Sequence, residues 1–203
     1  MSCKTFTAYM QSMTPITTAT TWPAEDTVWR AIRARQGGLV IGQTIEKYHC
    51  KVHSGKKNGG PAYTAWTTLQ VKNEGDQTQP ITFTYLLVNI AHGSHDRVAQ
   101  ILDAFESSAS AAAPATPKDN PLTTSLGAVQ LVLRGRPGSF IFDALCPHVQ
   151  SWLTNQDGPL AFHSVSIQRP ADYPINHHTD MSSTSTGLTG NACYRVQGVI
   201  VGQ

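Results

Sequence analysis

The sequence predicts an α+β domain: a mixed, mostly antiparallel twisted sheet of about six to seven strands, with about three helices packed on one face. Three observations predict it. Between Ile81 and Phe105 the hydrophobic period changes once, at His92-Gly93-Ser94. Ile81, Phe83, Tyr85 and Leu87 alternate with Thr82, Thr84 and Leu86 as on a strand, whereas Val98, Ile101, Leu102 and Phe105 fall at i, i+3, i+4 and i+7, the stripe of an amphipathic helix. A second strand-then-helix order recurs from Val129 onward, and runs rich in Thr and aromatics are separated by Gly- and Pro-containing turns elsewhere.

The elements follow in chain order. Residues 1–22 read as an extended, Thr-rich N-terminal arm, and 23–203 as a single domain. The first helix is expected over Pro23 to Gln36. Pro23 suits a first helical turn, Glu25 and Asp26 complement the helix dipole, and Gly37-Gly38 ends it. Strands are expected over Leu39 to Ile45, Tyr48 to Val52 and Tyr63 to Val71. The last of these is paired in a hairpin with the strand at Ile81 through the reversal Asn73-Glu74-Gly75-Asp76. After the Val98 helix, residues 108–121 are a low-complexity Ser/Ala/Pro excursion. Val129 to Leu133 reads as a strand, and a helix from Ser139 carries Phe140, Ala144, Leu145 and Trp152, broken at Pro147. Leu160 to Gln168 and Tyr194 to Val201 close the strand set. Between them, 169–192 is a long loop without periodicity, holding His177-His178, Asp180 and a Ser/Thr run.

Composition narrows the function classes. Only 14% of the 203 residues are charged, and hydroxyl, amide and glycine residues take their place. Such a surface suits permanent assembly, because docking it strips water from few charged heads. The net charge of +2 is too weak and scattered to predict nucleic-acid binding. Lys51, Lys56 and Lys57 form a small basic group in a Gly-rich turn, read as a solvated loop. No apolar run is long enough to span a membrane, and Met1 to Thr21 lacks the apolar centre of a secretory signal. Cys3, Cys50, Cys146 and Cys193 are far apart and are expected as reduced thiols.

Each candidate for chemistry has a simpler structural explanation. His49 and His53 bracket Cys50, but on a strand the two histidines share a face and the thiol points away, so a metal site would need distant partners such as His92/His95, Cys146/His148 or His177/His178. In His92-Gly93-Ser94-His95-Asp96, Ser94 or Asp96 caps the helix and Gly93 permits the turn. A phosphoesterase built on two His-x-Thr/Ser strands finds its first half in His92-x-Ser94, but Val165 replaces the hydroxyl of the second. A Gly-x-Ser-x-Gly elbow, a phosphate-binding loop and a dinucleotide fingerprint are all lacking. No catalytic residue, metal ligand or cofactor is therefore assigned.

The element order, with its strand leading into the Val98, Ile101, Leu102 and Phe105 helix and its closing run Tyr194-Arg195-Val196-Gln197-Gly198-Val199-Ile200-Val201, resembles the tail-terminator and tail-completion (neck) proteins of tailed bacteriophages. The resemblance covers Pro23 to Phe105 and the last strand, and this chain adds a strand-helix unit at Val129 to Leu153. It implies a non-enzymatic virion protein, assembled in the host cytoplasm, that forms a homo-oligomeric ring, hexameric by analogy, against adjoining tail-tube or neck proteins. Two alternatives stand beside it: a minor capsid or decoration protein, and a metal-dependent hydrolase using the histidine pairs. For the ring, the expected contacts to neighbours are Arg134, Arg136 and Arg169, with Asp172, Tyr173, His177, His178 and Asp180 of the long loop. Neither a membrane nor a specific nucleic-acid sequence is an expected partner.

Overall fold

The computed structural model describes residues 5–18, 25–53, 62–74, 78–112, 158–181, 183–186 and 192–203. Its strands are β1 (Thr5–Thr17), β2 (Glu25–Asp26), β3 (Val28–Gln36), β4 (Leu39–Lys47), β5 (Val52–His53), β6 (Tyr63–Lys72), β7 (Ile81–Asn89), β8 (Gly158–Ile167), β9 (His178–Asp180), β10 (Ser183–Thr186) and β11 (Cys193–Gly202). The α-helix α1 spans His95–Ala112 between β7 and β8. The fold is thus mostly β, 62% strand with one α-helix among the described residues, which corrects the expected α+β architecture with about three helices. The expected strand at Val129 and helix from Ser139 lie outside the described residues.

The strands form two antiparallel sheets, β10-β11-β1-β6 with β9 also on β11, and β4-β3-β7-β8, plus a small β2-β5 ribbon. Phe6, Met10 and Met13 of β1 and Tyr194, Val196 and Ile200 of β11 meet Ile32 and Ala34 of β3 and Phe83, Tyr85 and Leu87 of β7 in one buried cluster between the sheets. A second cluster lies on the far side of β3 and β7. There Trp29, Ala31, Leu86, Val88 and Phe162 receive Val98, Ile101, Leu102 and Phe105 of α1. The layers are sheet, sheet and helix, and the middle sheet is covered on both faces. Each large side chain enclosed this way contributes about 1.5–3 kcal/mol.

That double cover explains the main correction. Val28 to Gln36, expected as a helix, is the strand β3. Val28, Ile32 and Ala34 enter the inter-sheet core, while Trp29 and Ala31 face α1. With both faces buried, the alternation that marks a strand disappears from the hydrophobicity pattern. Arg33 and Arg35 share the helix face because their guanidinium groups are taken up by α1. Arg33 pairs with Asp103 and Glu106, and Arg35 with Glu106. The Gly37-Gly38 stop is a two-residue hairpin turn between β3 and β4, with φ of 57° and 82°. Two positive φ values are the geometry that matches strand twist, and glycine adopts them without strain.

Three other expectations change. Thr5–Thr17, placed in a free arm, is β1, hydrogen-bonded to β11 on one side and β6 on the other. β6 and β7 are not a hairpin: β6 pairs with β1, and β7 with β3 and β8 in the other sheet. The stretch 169–192, expected as one aperiodic loop, contains a 3-10 turn (Pro170–Asp172), β9 and β10. The strand-to-helix junction at residue 94 is as expected. The Ser94 hydroxyl accepts the Arg97 N–H at 3.3 Å, capping α1.

Candidate functional site

Four of the expected contact residues of the long loop, Arg169, Asp172, Tyr173 and His177, converge where β8 ends. Past Ile167, Pro170 opens a single 3-10 turn, with the Asp172 N–H donating to the Arg169 carbonyl at 3.1 Å and the Tyr173 N–H to Pro170 at 3.3 Å. Pro fits a first helical position because its missing N–H has no partner to lose. The chain then returns along β11. The Asn176 N–H donates to the Gly202 carbonyl at 2.8 Å and the Gly202 N–H to His177 at 3.3 Å, with Asn176 in the left-handed conformation at φ 60°. Asparagine tolerates that conformation better than most side chains.

Tyr173 is the fixed point of this loop. Its ring packs edge-on against Phe6 at 5.4 Å and His177 at 5.1 Å, and its hydroxyl lies 2.5 Å from the Thr179 hydroxyl. Around it opens a shallow cleft of about 380 Å³ lined by Ser166, Ile167, Gln168, Arg169 and Asp172 on one side and Tyr173, Pro174, His177 and Thr179 on the other. Arg169 and Asp172 are exposed charges of opposite sign beside a half-buried aromatic ring. An aromatic held in place, an arginine and apolar walls are the composition of a protein-docking patch.

Of the expected contacts, Arg169, Asp172, Tyr173 and His177 line this cleft together. His178 and Asp180 do not. They flank Thr179 on β9, and alternation puts them on the face opposite the cleft-lining residue, both exposed. Burial holds the His163 pKa below the ordinary histidine value, while the Asp180 charge pulls the other way. Arg134 and Arg136 lie outside the described residues. Of the pairs considered for metal, Cys146/His148 lies outside the described residues and the others are scattered: His49 packs on Tyr48, His53 sits 3.6 Å from Glu25, and His95 meets the Trp29 ring edge-on. Among the described residues, no group of three or more His, Cys, Asp or Glu could hold a metal ion.

One polar centre escaped the sequence. Asp26, read as a dipole-complementing acid in a first helical turn, is fully buried in the β2–β5 ribbon and accepts the Tyr194 hydroxyl at 2.5 Å. Burial, and then the Asp26 charge, push the Tyr194 hydroxyl far above the ordinary tyrosine range, so it stays a proton donor at any working pH. Next to it, Lys51 Nζ donates to the Thr27 hydroxyl at 2.6 Å, and the Thr27 N–H donates to Asn89 Oδ1 at 2.7 Å. The partners are 168 residues apart, and no local pattern announces such a pair. Its elements tie the ribbon to β11 and β7, so its role is to hold these strands together. No protein family and no curated protein matches this chain.

Proposed function

We propose that this chain is a non-enzymatic structural subunit of a virus particle, which works by assembling with copies of itself into a ring at the tail end or neck of a phage. The observation that carries the reading is the convergence of Arg169, Asp172, Tyr173 and His177, from a loop clamped to β11, on one open cleft. A shallow site with a fixed aromatic and flanking charges suits a neighbouring protein surface better than a small substrate, which needs enclosure. The low charge content supports it, since few hydrated heads must be stripped on contact. The tail or neck role rests on the phage tail-protein resemblance, of which the stretch from Ile81 to Phe105 and the last strand keep their expected form.

A role as a minor capsid or decoration protein is the second reading, and the two-sheet architecture favours it. The test common to both is sedimentation velocity across a hundredfold concentration range, with negative-stain electron microscopy of the same samples. The expected result is a defined oligomer, with rings supporting the tail or neck role and shells or lattice patches the capsid role. A monomer at every concentration, forming no ordered particle, would refute both.

A further inference from the structure

Two surface features have no partner among the described residues. The β3–β4 hairpin tip carries Leu39 and Val40, 73% and 48% exposed. The cleft beside Tyr173 has apolar walls in Ile167 and Pro174. Their positions are related. Gln36 pairs with both Leu39 and Ile81, and Ile81 pairs with Ile167. Tip and cleft therefore lie at the same end of the second sheet, on its opposite edges β4 and β8. Three strand spacings separate them, about 14 Å.

We infer that the tip of one copy seats in the cleft of the next. This rests on the assembly reading above and names the surfaces it uses. The sizes agree. Benzene, with six carbons, fits an apolar cavity of about 150 Å³. Consecutive on β4, Leu39 and Val40 flank the hairpin on opposite sides, so the tip enters end-on, and their seven side-chain carbons need on the order of 200 Å³, within the cleft's 380 Å³ with room for the backbone of the turn. The charges permit it. From Gly37 to Ile45 the hairpin carries no charged residue, and the cation at its turn, Arg35, donates to the Gly38 carbonyl at 2.9 Å and is paired with Glu106, so its charge is matched within its own copy. The Gly37-Gly38 turn adds no side-chain bulk to the inserting edge.

The placement also sets the symmetry. A knob on one edge and a socket on the other make a head-to-tail contact, in which each copy uses both surfaces and offers both. Because tip and cleft sit at the same end of the sheet, successive copies line up side by side with that end facing one way, and the contact closes into a ring or runs on as a filament.

The test uses two variants of the full chain. Leu39→Asp with Val40→Asp removes the knob and keeps the socket; Pro174→Glu with His177→Glu blocks the socket and keeps the knob. All four positions are exposed, and unchanged thermal melting checks each fold. Each variant alone is expected to associate roughly tenfold to a hundredfold more weakly than wild type. Mixed one to one, they are expected to form a dimer and stop there, because each supplies the surface that the other lacks. A knob variant that oligomerises as wild type does, or a mixture that stays monomeric, overturns the inference and leaves the assembly reading standing. A wild-type chain that is monomeric throughout refutes that reading, and the inference with it. Should a variant fail to fold, Val40→Cys combined with His177→Cys is oxidised in its place. An interchain disulfide ladder absent from both single variants supports the contact, and no ladder beyond theirs overturns it.

Discussion

Replacing Glu106 by Ala isolates what fastens α1 to the middle sheet. Glu106 Oε2 accepts Arg33 Nη1 at 3.0 Å and Arg35 Nε at 2.6 Å. The Arg33 side chain is 3% exposed and that of Glu106 11%, so little water is available to replace the lost carboxylate. Removing one partner of a buried pair costs about 3–5 kcal/mol when the other charge is left unpaired. Arg33 keeps Asp103, but that carboxylate is 57% exposed and solvent screens its attraction. The cost of Glu106→Ala is therefore placed at about 2–3 kcal/mol, below the full figure. Asp103→Ala, which removes the more hydrated partner, is placed under ~1 kcal/mol. Urea unfolding followed by tryptophan fluorescence measures both, since Trp29 lies beneath α1. In a chain of this size the two variants separate by roughly 2–12 °C in melting temperature. Equal losses for the two, or a smaller loss for Glu106→Ala, would refute the argument that the buried carboxylate anchors the helix.

Three further outcomes follow from the geometry. A Cβ at position 93 would lie 2.9 Å from both Ile90 Cγ2 and Trp29 Nε1, so Gly93→Ala is expected to destabilise the fold by about 1–3 kcal/mol in the same urea titration; an unchanged midpoint would show that the turn yields freely. Tyr194→Phe deprives the buried Asp26 of a charge-assisted hydrogen bond and is expected to cost about 1.5–3 kcal/mol, with Asp26→Asn in the variant background recovering part of the loss; no recovery would mean that the Asp26 charge is satisfied by its other contacts. His163 has a folded pKa below its unfolded value, so the folded chain binds fewer protons and stability falls as pH drops from the unfolded histidine value, about 6.5, toward the folded one. His163→Gln is expected to flatten the melting-temperature profile in that window, and a profile identical to wild type would assign the pH dependence elsewhere.

Where one face of an element meets water, the sequence announces it. The α1 stripe and the Ser94 cap carry that contrast and are present as expected, and β7 is legible although both its faces are covered, because Thr82 and Thr84 alternate with Ile81, Phe83 and Tyr85. β3 has no such contrast, because α1 supplies carboxylates to Arg33 and Arg35 on the face that would otherwise be solvated. Its charges then mimic the polar side of a helix. β1 is illegible for a different reason. Its partners are residues of β6 and β11, and Thr-rich composition alone does not distinguish a free arm from a central strand. For the candidate site, six residues of the long aperiodic loop line one cleft, four of them among the expected contacts. The hairpin tip was hidden by the same error that hid β3, because a helix ending at Gly37 projects nothing.

The pairing of β1 with β11 has a kinetic consequence. The first sheet is held by contacts between residues nearly two hundred positions apart, such as Phe6 with Gly202. Until β11 has left the ribosome, β1 can pair only with β6, and Phe6, Met10 and Met13 have no lid from Tyr194, Val196 and Ile200. Such distant closure is slow, and it leaves a greasy, half-built sheet exposed while translation finishes. Newly made chains at high local concentration would then meet one another through that surface before each has sealed its own, so the yield of correct subunits should depend on how fast the last strand arrives.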